Sequence, residues 1–307
     1  MIKKISNLVI MVLATTLFNF ALAEQPTIPI KTARGEVTLP INPKKVAVLD
    51  LVTLDILQAL NVKVGVTNDD VYLPYLKSMQ QSAIGAGSLL EPNYEVLYSY
   101  QPDVIIVGSR MARKFPEIHD LFPNTIDMSS NYDDAVKDGL DRLAIYGRLF
   151  GKEELAKQLQ NRLKQQLEIT KNVVKGKGNG LIVMINGSKL MVFGEDSLAG
   201  WIHHTLGIPK AVENIKGFHG GRPASFEFIA KTNPDWLFVI DRSAALGQEG
   251  LSAEHILDNA MIHQTTAWQK GQVIYFDAAT FHAPGGYTQL SNELKHIQTA
   301  FSKSKSG

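Results

Sequence analysis

Two arginines, Arg110 and Arg242, each follow a short apolar run that predicts a buried strand. Arginine keeps its charge and presents its N–H groups in one plane, which suits it to binding anionic oxygens. The carboxyl ends of strands in an open α/β sheet are also where such sheets bind ligands. One arginine on each of two sheets would therefore make an anion-binding cleft, to which Arg113, Lys114 and Arg222 add positive charge. The open alternative is that each arginine pairs locally on the surface.

The two arginines end two copies of one pattern, at a constant offset of 132 residues. Each copy has an aromatic residue, a glutamate, an apolar pair, Pro-Asp, an apolar run and the arginine: YEVLYSYQPDVIIVGSR (94–110) and FEFIAKTNPDWLFVIDR (226–242). A Pro-Asp turn after a helix recurs by chance, because proline ends helices and aspartate favours turns. Chance does not explain why Glu95 and Glu227 occupy the same place in both copies. The pattern predicts two related α/β lobes.

Two of the eight histidines, His219 and His282, lie in glycine-containing stretches that predict loops. Loops commonly display ligand-binding groups, so these two histidines are candidate metal ligands. Tyr287 is near His282 and is a second candidate for binding a ligand. Simple loop polarity is the open alternative. The other six histidines fall in helical patterns typical of surface or core residues.

Several classes of enzyme site are missing from the sequence. We find no nucleophile elbow, phosphate-binding loop, zinc-protease motif or dinucleotide fingerprint. Neither loop histidine has a paired nucleophile or an orienting carboxylate nearby. We therefore predict a binding protein with no catalytic residues and no intrinsic cofactor.

Length and composition indicate an exported globular protein. The chain has 307 residues, of which 45% are hydrophobic and 20% charged, enough for two cores. Residues 1–23 predict a cleaved signal peptide, with two lysines, an apolar stretch and the small-residue site Ala21-Leu22-Ala23. Its removal leaves 29 basic against 30 acidic side chains, a balance that indicates no nucleic-acid partner.

The sequence contains no cysteine, so it can form neither disulfide bonds nor a lipidated cysteine after the signal. A soluble exported protein without a lipid anchor is most simply confined by an outer membrane. We therefore predict a periplasmic protein.

Alternating strand and helix patterns predict an α/β fold with mainly parallel sheets. We expect an N-terminal lobe over residues 24–131, a linking helix over 132–150 and a C-terminal lobe over 151–307. Within the second lobe, the apolar spacing predicts one helix over Ala253–Gln269 and a loop from Asp277 to Thr288.

The stretches that carry these features resemble the periplasmic binding proteins of iron–siderophore importers. The resemblance covers essentially all of residues 40–303 and is strongest for the subgroup that binds ferric catecholates. It is carried by the following stretches: PKKVAVLDLVTLDILQALNVKVGV (43–66), PNYEVLYSYQPDVIIVGSR (92–110), LGIPKAVENIKGFHG (206–220), SFEFIAKTNPDWLFVIDR (225–242) and GQVIYFDAATF (271–281).

The resemblance implies a class III periplasmic binding protein, in which one long helix joins two Rossmann-like lobes around a shallow cleft. It implies delivery of a ferric (Fe³⁺) siderophore to an inner-membrane ABC permease and its ATPase. We expect the protein to be a monomer. Glu95 and Glu227 would dock onto permease arginines. Arg110 and Arg242 would line the cleft beneath the anionic complex, and His219 would bind iron directly.

The sequence departs from this family at two places. Relatives often carry a third cleft arginine where this chain has Leu198, and Arg222 is the candidate replacement. The family's iron-binding tyrosine falls in the loop after the strand that ends at Phe276. Our alignment places His282 there, with Tyr287 as the other possibility.

Two alternatives stay open at this stage. The first is a binder of haem or cobalamin served by the same class of importer. The second is a periplasmic enzyme that uses a cleft histidine as a base. Stoichiometric binding without turnover distinguishes the binder, and a panel of ferric siderophores, haem and cobalamin distinguishes the ligands.

Overall fold

A computed structural model describes residues 26–130, 134–216 and 221–303 of the chain. The predicted signal peptide lies outside these residues. The helices and strands, in chain order, are β1 (Thr27–Thr32), β2 (Gly35–Pro40), β3 (Val46–Leu49), α1 (Leu51–Ala59), β4 (Val66–Thr67), α2 (Lys77–Ser82), β5 (Ile84–Gly85), α3 (Tyr94–Tyr100), β6 (Val104–Val107), α4 (Phe115–Leu121), β7 (Thr125–Asp127), α5 (Ala135–Leu149), α6 (Glu153–Val174), β8 (Gly180–Asn186), β9 (Lys189–Phe193), α7 (Trp201–His204), β10 (Gly221–Ala224), α8 (Phe226–Thr232), β11 (Trp236–Asp241), α9 (Arg242–Ala245), α10 (Ala253–Leu257), α11 (Thr266–Gln269), β12 (Val273–Phe276), α12 (Ala278–His282) and α13 (Tyr287–Lys303). Short 3-10 turns lie at Pro74–Leu76 and Ile262–Gln264.

The first sheet contains five strands in the order β5-β4-β3-β6-β7, and all of its neighbouring pairs are parallel. Every residue of β3 and β6 is buried, as expected for parallel strands that are covered on both faces. Separate apolar clusters pack on the two faces of this sheet. The hairpin of β1 and β2, which we did not predict, adds a small antiparallel sheet.

The second sheet has the order β10-β9-β8-β11-β12. Strands β8, β11 and β12 are parallel, whereas β9 and β10 form an antiparallel edge. Two apolar clusters again cover its faces, and in one of them the rings of Trp236 and Phe301 stack with their centroids 3.6 Å apart. The predicted α/β class is confirmed.

The sequence repeat is also a structural repeat. Helices α3 and α8 begin and end at positions 132 residues apart. The side chains of Asn93 and Ser225 accept bonds from the first backbone N–H groups of these helices, which satisfies donors that a helix start leaves without partners. Both helices end at a left-handed residue, Gln101 (φ 53°) and Asn233 (φ 48°), each followed by the repeated proline.

The repeated aspartates hold the starts of neighbouring strands. Asp103 accepts backbone N–H bonds from Lys44 (2.7 Å) and Lys45 (2.8 Å), just before β3. Asp235 accepts the N–H of Asn179 (2.9 Å), just before β8. Each Pro-Asp pair therefore connects the helix before it and the strand after it to a neighbouring strand of the same sheet. The arginine that follows each strand consequently has an equivalent backbone position in its lobe.

Helix α5 belongs to both apolar cores. Its first residues, Ala135 and Val136, pack in a core of the second sheet, while Leu143, Tyr146 and Leu149 pack in a core of the first. Its bounds lie within the predicted linking helix over 132–150, of which residues 132 and 133 fall outside the described residues. The predicted lobe boundaries on either side stay a prediction.

A buried arginine attaches α5 to the first sheet. Arg142 is 6% exposed, and its Nη1 lies 3.6 Å from Oδ2 of Asp50, directly after β3. Its Nη2 donates to the carbonyl oxygen of Met128, directly after β7. The linking helix is thus fixed to the carboxyl edge of the first sheet, where Arg110 also lies.

The chain returns to the first lobe near its C-terminus. Ala279 and Ala283 pack in the core of the first sheet, whereas Leu290 and Leu294 of α13 pack in the core of the second. Between them, α13 begins at a carboxylate from the first lobe. Wholly buried Asp55 of α1 accepts the backbone N–H groups of Thr288 (2.8 Å) and Gln289 (3.1 Å).

A second buried carboxylate lies one turn further along α13. Glu293 is 3% exposed and accepts a hydrogen bond from the hydroxyl of Thr280. Burial raises the pKa of Glu293 to about 8, because removal from water disfavours the charged form. The folded protein therefore holds a proton on this side chain at neutral pH.

Two of our predictions for the second lobe are wrong. The predicted helix over Ala253–Gln269 is instead α10, a 3-10 turn and α11, because Asn259 and Thr265 accept backbone N–H bonds that start new turns. The predicted loop from Asp277 to Thr288 contains α12, which starts where Asp277 accepts the N–H of Ala279 (2.7 Å), and the first residues of α13. His282 and Tyr287 are therefore helical residues.

Across the described residues, no helix is both long enough and apolar enough to cross a membrane.

Replacing Glu293 with glutamine should flatten the dependence of stability on pH. With its folded pKa near 8, Glu293 binds more protons in the folded than in the unfolded chain between about pH 4.5 and 8. Its contribution is complete below that window and is lost as the pH rises through it. Each pKa unit corresponds to about 1.4 kcal/mol, so the effect amounts to several kcal/mol. Urea unfolding at pH 5, 6.5 and 8 measures it.

The matched control is Glu249→Gln, which neutralises an exposed carboxylate in the same lobe. We expect Glu293→Gln to gain stability relative to wild type as the pH rises from 5 to 8, and Glu249→Gln to follow wild type. Parallel curves for all three proteins would show that Glu293 does not hold a proton in the folded state.

Candidate ligand-binding site

Arg110 reaches from the first lobe to the end of α12. Its Nη2 donates to the carbonyl oxygen of Phe281 (3.0 Å) and its Nη1 to that of His282 (3.1 Å). Carbonyls at the C-terminal end of a helix carry partial negative charge, which favours a cation there. Arg110 thus holds α12 against the first lobe. It also places its own positive charge at the carboxyl edge of the first sheet.

Arg242 occupies the corresponding place after β11. It is the first residue of α9, and its Nη1 donates to Oδ1 of Asn186 (3.1 Å), the last residue of β8. Asp241, directly before it, accepts backbone N–H bonds from Ala244 (2.9 Å) and Ala253 (2.7 Å). The turn that carries Arg242 is therefore fixed to two neighbouring segments.

The structure brings the two arginines together on one aromatic ring. The guanidinium carbon of Arg110 lies 5.4 Å from the centroid of the Phe281 ring, and that of Arg242 lies 5.2 Å from it. Both distances are within the range of cation–π attraction. Phe281 and both arginines are partly exposed. Two permanent positive charges thus converge beside a half-buried ring, as a site for an anion requires.

His282 lies beneath this cluster and is wholly buried. Its ring stacks on that of Tyr72 (centroids 5.0 Å apart) and meets the edge of Phe281 (5.3 Å). Its Nε2 lies 2.6 Å from the carbonyl oxygen of Ala245. Because a carbonyl only accepts, Nε2 carries the hydrogen, and Nδ1 is unprotonated and has no hydrogen-bond partner among the described residues.

The surroundings of His282 keep its imidazole neutral. Burial lowers its pKa to about 4, and the charges of Arg110 and Arg242 act in the same direction against the bond to Ala245. A neutral imidazole with an unprotonated nitrogen is chemically able to bind a metal. In this arrangement the rings of Tyr72 and Phe281 cover the imidazole, and its role as an iron ligand stays a prediction.

Three other predicted site residues are not in this cluster. Arg222 is exposed on edge strand β10, and its guanidinium carbon lies 4.8 Å from the ring centroid of Phe228. Tyr287 is half-buried at the start of α13 between the two cores, where its side chain meets that of Arg162. Burial raises its pKa. His219 lies outside the described residues.

The two predicted docking glutamates have equivalent positions. Glu95 and Glu227 are each the second residue of α3 and α8, and both are exposed. The N-terminal end of a helix stabilises a negative charge, so neither carboxylate needs a partner within the protein.

Sequence reasoning missed Tyr72, Phe281 and Asn186 as members of the cluster. One signal was visible for Phe281: Asp277 begins the pattern Asp-Ala-Ala-Thr-Phe-His, in which an aspartate precedes helix-compatible residues. Among the described residues, no group of three or more histidine, cysteine, aspartate and glutamate side chains is arranged to hold a metal ion.

The sequence and the structure are similar to those of known proteins. A family model described as "Periplasmic binding protein" matches residues 46–280. The chain is 33% identical over 283 residues to the petrobactin-binding protein YclQ of Bacillus subtilis, covering 89% of this chain and 88% of that protein. It is 29% identical over 255 residues to the ferric-anguibactin-binding protein FatB of Vibrio anguillarum, covering 81% and 79%.

The crystal structure of YclQ is also similar to this structure. The two agree with a TM-score of 0.83 at 29% identity, over 91% of this chain and 99% of that one. The agreement therefore covers both sheets and the helix that joins them.

His282 should remain neutral from about pH 5 to 8, with its hydrogen on Nε2. Its pKa of about 4 follows mainly from burial. The ¹⁵N chemical shifts of its ring, assigned by their loss in His282→Gln, should not titrate in this range. Because the folded pKa is below the unfolded value of about 6.5, this group stabilises the protein above pH 6.5 and the contribution is lost as the pH falls towards 4. A ring that titrates near pH 6.5 would contradict the buried arrangement.

Proposed function

Because this chain belongs to the periplasmic binding protein family, we propose that it is the substrate-binding component of an ABC importer and that its substrate is a ferric siderophore. The observation that carries the proposal is the convergence of Arg110 and Arg242, one from each sheet, on Phe281. The two lobes together supply two permanent cations at one partly exposed position.

The chemistry of this pair matches an anionic ferric complex. Catecholate oxygens bound to Fe³⁺ leave the complex with net negative charge and several surface acceptors. Guanidinium groups form charge-assisted hydrogen bonds with such oxygens and do not lose their charge when partly buried. A catecholate siderophore is therefore the ligand that we propose.

The relatives support the same class of ligand. Of the two reported above, one is a petrobactin-binding protein and the other a ferric-anguibactin-binding protein. Both names describe capture of a siderophore or its ferric complex, so we favour this ligand over haem or cobalamin. We also propose that the protein binds its ligand without chemical conversion, as a solute-binding protein does, and therefore acts without a cofactor of its own.

The iron itself is proposed to be held mainly by the siderophore. His219 is our proposed protein ligand where the siderophore leaves a coordination position open, and its imidazole must be unprotonated to bind. Arg222 and Tyr287 stay predictions as ligand-binding residues, and His282 stays a prediction as an iron ligand. In this structure the side chains of Arg222 and Tyr287 meet Phe228 and Arg162.

Delivery is proposed to take place in the periplasm. The predicted signal peptide would export a monomeric chain, and the inner-membrane permease with its ATPase would receive the ligand. Exposed Glu95 and Glu227, equivalent in the two lobes, are our proposed contacts to positive side chains of the permease. Charges at the rim of an interface act mostly on partner docking, so they should not affect ligand affinity.

Loss of either cleft arginine should weaken ligand binding. Each charge-assisted bond contributes roughly 1.5–3 kcal/mol, so Arg110→Ala and Arg242→Ala should each lower the affinity for a ferric catecholate by about tenfold or more. Fluorescence and absorbance titrations with ferric siderophores, haem and cobalamin measure this. Arg148→Ala is the matched control, because it removes an exposed guanidinium from the linking helix.

We expect wild type and Arg148→Ala to bind the ferric catecholate equally well. Tight binding of haem or cobalamin without any binding of ferric siderophores would overturn the proposed ligand. If Arg110→Ala and Arg242→Ala bind the ferric complex with the same affinity as Arg148→Ala, the two arginines do not contribute to ligand binding. Arg222→Ala in the same series decides whether Arg222 takes part.

Removal of both docking glutamates should abolish transport and preserve binding. We expect Glu95→Ala with Glu227→Ala to prevent uptake of the labelled ferric complex in cells, while affinity stays within about threefold of wild type. The control is Glu153→Ala with Glu154→Ala, which removes two exposed acidic charges from α6. Normal uptake by the first double variant would refute the docking role.

A further inference from the structure

Phe281 contacts both cleft arginines in two different ways. Its ring lies within cation–π distance of both guanidinium carbons, at 5.4 and 5.2 Å. Its backbone carbonyl also accepts a hydrogen bond from Nη2 of Arg110 at 3.0 Å. The residue therefore helps to set where the two positive charges lie, one from each lobe.

The same ring determines what the protein can offer to iron at this position. Fe³⁺ is a hard cation that binds oxygen and nitrogen donors, and a phenyl ring has neither. The next residue, His282, has a suitable nitrogen, but its ring is wholly buried against Tyr72 and Phe281. In this arrangement, neither side chain presents a donor atom to a complex that is held between the arginines.

The anchoring of α12 keeps this arrangement in place. Nε2 of His282 is bonded to Ala245, while the carbonyls of Phe281 and His282 are both bonded to Arg110. Exposure of the His282 nitrogen would break these bonds and the stack on Tyr72. An incoming complex therefore meets a ring and two guanidinium groups.

From this geometry we infer that Phe281 is a specificity-determining residue of the site. It aligns Arg110 and Arg242 and, because it lacks a donor atom, favours ferric complexes that need no protein ligand at this position. The inference rests on the proposed function and narrows its ligand class to anionic ferric catecholates whose coordination positions next to Phe281 are filled by the siderophore.

The test compares a hexadentate tris-catecholate ferric complex with a tetradentate bis-catecholate one. Wild type should leave the visible spectrum of the hexadentate complex unchanged. In the His219→Ala background, the protein should bind the hexadentate complex more tightly than the tetradentate one, by about tenfold or more. Phe281→Tyr retains the ring and adds a hydroxyl. Its oxygen should replace a water on the tetradentate complex and release its proton to solvent, which raises affinity by about tenfold and shifts the visible band.

Two further variants make the result specific. Phe281→Leu retains an apolar side chain but removes the ring, so it should weaken both complexes by about tenfold without any spectral shift. Repeating the series in His219→Ala excludes a contribution from that histidine. Folding of each variant is checked by its thermal unfolding, and Phe281→Tyr stays informative if Phe281→Leu does not fold.

Two results would overturn the inference while the proposed function survives. The first is a Phe281→Tyr variant whose affinity and spectrum with the tetradentate complex match those of wild type. The second is a folded Phe281→Leu variant that binds the hexadentate complex as wild type does. If wild type binds neither ferric complex, the proposed function itself fails, and the inference fails with it.

Discussion

A buried acidic side chain, Asp55, joins the two lobes. Asp55 belongs to the first lobe, yet it accepts the first backbone N–H groups of α13, the helix that fills the core of the second. It also accepts the hydroxyl of Tyr75 at 2.7 Å. Burial raises the pKa of Asp55, and the hydrogen bonds from Thr288, Tyr75 and Gln289 oppose that rise. This contact, helix α5 and the bonds from Arg110 to α12 together join the two sheets that carry the arginines.

The returning segment, residues 277–289, ends at this contact. Residues 277–289 leave the second sheet, reach the core of the first through Ala279 and Ala283, and turn back into α13 at Asp55. This path of the chain places Phe281 between Arg110 and Arg242. The electrostatic consequence is visible in His282, whose pKa is lowered by burial and by the same two charges. The two arginines therefore also favour the neutral form of the neighbouring imidazole.

The repeated parts of the molecule could be predicted from sequence, because Pro-Asp turns, buried strands and exposed glutamates depend on local patterns. The convergence of Arg110 and Arg242 followed from the carboxyl-edge rule for parallel sheets. Phe281 and Tyr72 could not be predicted, since their positions depend on how far residues 277–289 cross between the lobes. The helix predicted over residues 253–269 was wrong because its apolar spacing continues through two side-chain caps, at Asn259 and Thr265, which interrupt the backbone hydrogen bonds.

The stack of Trp236 on Phe301 has a consequence for the light that the protein emits. Trp236 begins β11, six residues before Arg242. At the rise of a β-strand, the backbones of these two residues are roughly 20 Å apart. Trp201 is also enclosed in the second core. A coloured ligand bound beside Arg242 would therefore reduce their emission by resonance energy transfer and not by contact. A colourless anion at the same position would leave that emission unchanged. The emission of these two indoles would therefore distinguish coloured ferric complexes from colourless anions.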